Sequence, residues 1–231
     1  MLFTALLLSS TASAATPLTS GELYDTAHTT EQGTTTVRIL NPSSYAVSDQ
    51  LQLKTSLLGL IGGPNLAAEY GIMSGSDSAF SVEVGAGAGW NFNSYSAGAS
   101  GVYTMGPAAG NKFNVSAGVN LAATNLSGES TSTLGVPVGV SYHLVPSDQV
   151  TVQFFGNTNV MNLVDSDSAF TANGGFRWNK GWDKFRLALG LTVFVGGLGE
   201  VAEALEGTGL EDNLPSVIAI PLPTIGFWWR V

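Results

Sequence analysis

From about residue 33 to its end the chain alternates apolar and polar side chains in runs of roughly ten residues, the length a tilted strand needs to cross a bilayer. In KFNVSAGVNLAAT, residues 112–124, Phe113, Val115, Ala117, Val119 and Leu121 share one face, while Lys112, Asn114, Ser116, Gly118 and Asn120 share the other. In 134–144, Leu134, Val136, Val138, Val140, Tyr142 and Leu144 oppose Gly135, Pro137, Gly139, Ser141 and His143. The same phase returns at 80–90 and 184–195. A period of two held over so many runs specifies antiparallel sheet with one apolar face.

Alternation alone describes a soluble sheet or a lipocalin-like barrel equally well, with the apolar face turned inward. The aromatics separate the two. On the apolar face they gather near strand ends (Phe80, Trp90, Tyr95, Tyr103, Phe113, Tyr142, Phe170, Trp178, Phe185 and Trp229), as girdles at two membrane interfaces would. A packed soluble core has no reason to keep aromatics out of strand middles. Composition agrees: 29 glycines, no cysteine and 11% charged residues suit strands with lipid outside and little bulk inside. The longest uncharged apolar run, Leu187–Gly199, is 13 residues and glycine-broken, short of the roughly 20 a spanning helix needs. If the chain spans a bilayer, it does so as a closed barrel.

The runs predict strands at 34–40, 50–60, 65–72, 80–90, 95–105, 112–123, 134–144, 148–156, 169–178, 184–195 and 216–230. That count is odd, and single-chain bacterial barrels use even counts. Either Glu22–Thr29 supplies a twelfth strand, the preferred solution, or the first run lies outside and ten remain. The fold expected is therefore an all-β, transmembrane, antiparallel up-and-down barrel. Counting back from the C-terminus puts 145–147 and 179–183 in short turns at one rim and 124–133, 157–168 and 196–215 in loops at the other. The near-repeat SDSAFS at 76–81 and SDSAFT at 166–171 then falls on opposite rims, so either the similarity is coincidence in a serine-rich sequence, the preferred reading, or one strand is miscounted.

The last eight residues, TIGFWWRV, resemble the C-terminal β-signal of Gram-negative outer-membrane barrels. Thr224 stands at the polar position, Gly226 at the glycine, and Trp229 and Val231 at the final pair, where an aromatic is usual in place of Val231. The resemblance implies an outer-membrane address, outer-membrane lipids as surroundings and the barrel assembly machinery as a partner. Residues 1–15, MLFTALLLSSTASAA, read as a secretory signal peptide without its usual basic start, cleaved after Ala14 or Ala15. Residues 16–32 are a leader, an extra strand or a plug, and 33–231 the barrel. No cysteine is present for a lipid anchor or a disulfide, and a net charge of −9 disfavours nucleic acid.

With the polar face inward, Arg38, Lys54, Lys112, Arg177, Lys184, Arg186 and Arg230 point into the lumen, and Lys180 falls in a turn. Of the acids, only Glu69 and Glu83 take inward strand positions. Such a lumen favours small anions; the alternative is a closed network in which Glu69 and Glu83 pair with two of the bases. The inward phase also holds glycines, among them Gly118, Gly175 and Gly190, which either leave space or permit tight coiling. Ser141 and His143 share the lumen face, but no acid nearby in sequence orients the imidazole. A hydrogen-bonded lumen histidine is the reading preferred to catalysis. The acidic stretch Glu200, Glu203, Glu206, Glu211 and Asp212 matches no metal-loop spacing and reads, like Asp165 and Asp167, as solvated loop. The expectation is a small porin-like channel with mild anion preference. The alternative is a closed structural or interaction barrel, and a lipid-modifying enzyme comes third; neither cofactor nor metal is implied.

Overall fold

The computed structural model describes residues 18, 22–23, 25–38, 42–57, 59–126, 129–161, 169–197 and 217–231. The expected signal peptide, much of the leader and the acidic loop residues lie outside these. Twelve strands form one closed antiparallel barrel in which each strand pairs with its neighbours in sequence. They are β1 (Thr35–Arg38), β2 (Pro42–Ala46), β3 (Leu51–Ser56), β4 (Asn65–Ser74), β5 (Ser78–Ala88), β6 (Ser94–Met105), β7 (Lys112–Leu126), β8 (Glu129–Ser147), β9 (Val150–Met161), β10 (Ala169–Trp182), β11 (Phe185–Gly197) and β12 (Val217–Arg230). Closure comes from β1 on β12, with Thr36 opposite Arg230 and Arg38 opposite Trp228. A single helical turn, Gly59–Gly62, joins β3 to β4.

The count of twelve holds, but the twelfth strand is not Glu22–Thr29. It is β2, whose five residues PSSYA are too short and too polar to register as a periodic run. The described part of Glu22–Thr34 instead runs inside the barrel, with Glu22, Leu23, Ala27, His28 and Thr30 all buried. Several strands also run longer than expected. The β10–β11 connection shrinks to Asp183 and Lys184, with Asp183 at φ 34°, the left-handed geometry of a two-residue hairpin. Residues 145–147 and 179–182 are thus strand, as are 124–126, 129–133 and 157–161. Ser76–Ser81 lies at the rim that holds Val231, and Ala169–Thr171 at the opposite one, so the near-repeat is not a duplicated hairpin.

Polarity is inverted relative to a soluble core. Among the described residues, 22 buried ones are polar or charged and 8 are hydrophobic, while outward valines, leucines and aromatics stand exposed. Phe113, Tyr142, Phe154 and Phe176 sit directly opposite one another across β7–β10 and form an outer aromatic row. At the C-terminal rim Phe185 stacks between Trp182 and Phe227, with Trp229 at 5.6 Å. No helix among the described residues is long and apolar enough to cross a membrane.

The wall is uneven: β1, β2 and β3 have 4, 5 and 6 residues, whereas β7 and β8 have 15 and 19. Above Trp228, among the described residues, β12 pairs only with β11. Arg230 donates its N–H to Lys184 and Val231 to Thr35, so odd-numbered amides of β12 face the β1 side. Pro221 and Pro223 fall in that phase. Their missing N–H groups cost no ladder bond there, and they blunt the edge against foreign strands.

Inward glycines serve close strand approach. A Cβ on Gly175 would lie 2.0 Å from the Leu191 backbone oxygen, and one on Gly118 would lie 2.6 Å from that of Ala99. Gly175→Ala forces β10 and β11 apart and is expected to cost about 1–3 kcal/mol. Gly156→Ala, whose Cβ would meet only Val140 at 3.9 Å, is expected to be near neutral. Urea midpoints of the refolded barrels would check this pair.

Candidate functional site

Two layers of charge occupy the lumen. Near the C-terminal rim, strict alternation along β11 and β12 turns Arg186 and Arg230 inward, and both meet Glu22 of the inner segment. Arg186 Nε donates to Glu22 Oε2 at 3.2 Å, and Arg230 Nε lies 3.3 Å from Glu22 Oε1. The Glu22 and Arg186 side chains are fully shielded from solvent. Arg38 donates to the Glu22 carbonyl oxygen and, at 3.2 Å, to that of Pro42, while its guanidinium sits 5.7 Å from the Trp228 ring centre. Arg186 also donates to backbone oxygens of Trp182, Asp183 and Phe185 in the hairpin that follows it. A buried charge needs this degree of satisfaction, because taking it from water costs several kcal/mol.

The rest of the inner segment is tied to the wall by side chains and, at its end, by backbone bonds to β2, where the Gly33 N–H donates to the Ala46 oxygen and the Ala46 N–H to that of Thr34. The Ala27 N–H donates to Thr104 Oγ1, which donates to Asn114 Oδ1; Asn114 Nδ2 then donates to Ser141 Oγ, 3.4 Å from His143 Nε2. The Thr30 N–H donates to Gln52 Oε1, and Gln153 Nε2 donates to Asp25 Oδ2. Gln153 Oε1 accepts from Arg177, whose guanidinium rides over Phe155. Lys112 donates to the Ala108 oxygen. His28 sits near Lys112, and burial, then that ammonium, hold its imidazole below the ordinary histidine value.

Beyond this layer is a cavity of about 690 Å³, floored by Leu23, Asp25, Thr26 and His28 and walled by small residues of β4–β8. On its wall Lys54 Nζ lies 2.7 Å from Glu69 and 2.6 Å from Glu83. Both carboxylates thus converge on one base rather than on two. Of the other expected lumen bases, Arg38, Lys112, Arg177, Arg186 and Arg230 are in the lower layer. Lys184 is not in the lumen: it stands exposed in the two-residue turn, because β10 extends to Trp182. Lys180, expected in a turn, is buried on β10 with its ammonium 5.8 Å from the Trp182 ring centre. In the C-terminal stretch TIGFWWRV, Gly226 pairs with Ala188, Thr224 with Gly190, and Trp229 with Val37 and Phe185. Val231 is exposed, and its N–H closes onto Thr35.

Glu22 and Asp25 went unrecognised as lumen groups in the sequence, since neither sits on a periodic strand. No family model, no curated protein and no solved structure matches this chain. The fold and the site define a closed twelve-stranded barrel whose lumen is charged and whose N-terminal segment runs inside it.

Proposed function

We propose that the protein is an outer-membrane barrel acting as a small-anion channel, closed at rest by its own residues 22–34. The inverted polarity and the outer aromatic row support a lipid setting, and the C-terminal tag supports an outer-membrane one, with the C-terminal rim periplasmic. The observation that carries the channel reading is the division of charge between wall and inner segment. Among the described side chains the wall contributes six inward bases (Arg38, Lys54, Lys112, Arg177, Arg186 and Arg230) against two carboxylates, Glu69 and Glu83. Glu22 and Asp25, which offset the lower layer, belong to the inner segment. When that segment withdraws, its carboxylates leave with it and the passage is lined by bases.

A closed structural barrel is the second reading, favoured by the continuous hydrogen-bond chain from Ala27 to His143. Burial of Ser141 and His143 in that chain supports a structural role for them. Refolded protein in planar bilayers under a potassium chloride gradient decides between the two. Brief openings that reverse on the anion side are expected; a folded, inserted barrel that stays silent even when the Glu22 contacts are removed is a closed one.

A further inference from the structure

We infer that Arg186 and Arg230 form a binding site for small carboxylates, which Glu22 occupies as a built-in substitute. The inference rests on the channel reading and names the solute class it serves. Each guanidinium meets a different oxygen of the same carboxyl group, Arg186 at Oε2 and Arg230 at Oε1. The first contact is a hydrogen bond and the second an ion pair without one, so the two arginines address both oxygens of a planar anion, which a spherical halide does not offer. The site is built rather than incidental. Arg186 is held by three backbone oxygens of its own hairpin, and Trp228, 1% exposed, lies on the same inward phase of β12 as Arg230. A Cβ on Gly181 would sit 3.2 Å from Arg186 Cδ, so the absence of a side chain there leaves room for the arginine's course.

Glu22 reaches this site from the far end of the sequence, 164 residues from Arg186, as part of a segment whose described backbone bonds to a strand lie at its other end, where Gly33 and Thr34 meet Ala46 of β2. Its carboxymethyl end is chemically a tethered acetate. A free carboxylate that takes its place makes the same two contacts and releases the Glu22 side chain from both arginines. Solute binding and opening are thereby the same event. Tethering gives Glu22 an effective concentration in the millimolar range or above, so a free carboxylate competes only when abundant. The device answers to solute concentration, as a passage for small organic acids would require.

The test is binding of ¹³C-labelled acetate to refolded protein in detergent micelles, followed by line broadening, with conduction measured separately. Glu22→Ala, which empties the site, is expected to bind acetate at least tenfold more tightly than the unaltered chain. Adding Arg230→Gln, the less buried of the two arginines, is expected to abolish that gain, and Arg186→Gln to do the same. Equal acetate binding with and without Glu22, or a gain that survives both arginine substitutions, overturns the site. If acetate binds as expected but no variant conducts, the site stands and the channel reading falls.

Discussion

Glu22→Ala is expected to turn a mostly silent barrel into a steadily conducting one. The substitution leaves the buried Arg186 and the largely buried Arg230 without the carboxylate they share. Breaking a buried ion pair on one side costs about 3–5 kcal/mol, because the remaining charge keeps its desolvation penalty and loses its partner. Here the inner segment can relieve that cost by leaving, which lets water reach the two guanidinium groups. Even about 3 kcal/mol shifts the ratio of open to closed by roughly a hundredfold. Glu31→Gln is the matched control: Glu31 also approaches Arg230, at 3.6 Å, but its side chain is 81% exposed. A solvated pair of that kind is worth about 0–1 kcal/mol, so little change in opening is expected. Single-channel recording of the two variants side by side reads the difference. Comparable opening in both, or in neither, removes Glu22 as the latch.

The sequence made the barrel legible wherever one strand carried enough alternation to reveal its phase. KFNVSAGVNLAAT could be placed on β7 with its faces assigned because five apolar residues repeat in register. PSSYA could not be recognised as β2, because five residues that begin with proline give the period almost nothing to act on. That strand forms through its neighbours, with Thr36 opposite Ser44 and Ser44 opposite Lys54. Lys180 and Lys184 stand where the sequence did not put them for a related reason: residues 179–183 look like a turn, but the hairpin bends at Asp183, so Lys180 is strand, opposite Val150 and Leu187, and Lys184 is turn. The partner of Arg186 was illegible for a different reason. Inward phase follows from local alternation, whereas a counter-ion 164 residues away follows only from the closed fold.

Removal of the lysine in the upper layer is expected to act on selectivity rather than on opening. Lys54 holds Glu69 and Glu83 within 2.7 and 2.6 Å, so the cluster as a whole carries one negative charge. Lys54→Met doubles that charge in a passage where field lines are confined by the barrel wall. The reversal potential of the conducting Glu22→Ala background should therefore move toward cations when Lys54→Met is added. Glu69→Gln with Glu83→Gln has the opposite sign: the cluster becomes singly positive, and the reversal potential should move further to the anion side. The size of the two shifts should differ, because Lys54→Met changes the charge of the cluster by one and the glutamine pair changes it by two, so the anion-side shift should be the larger. If both changes leave the reversal potential where it was, ions do not pass the Lys54 wall, and the conducting path does not run through this cavity.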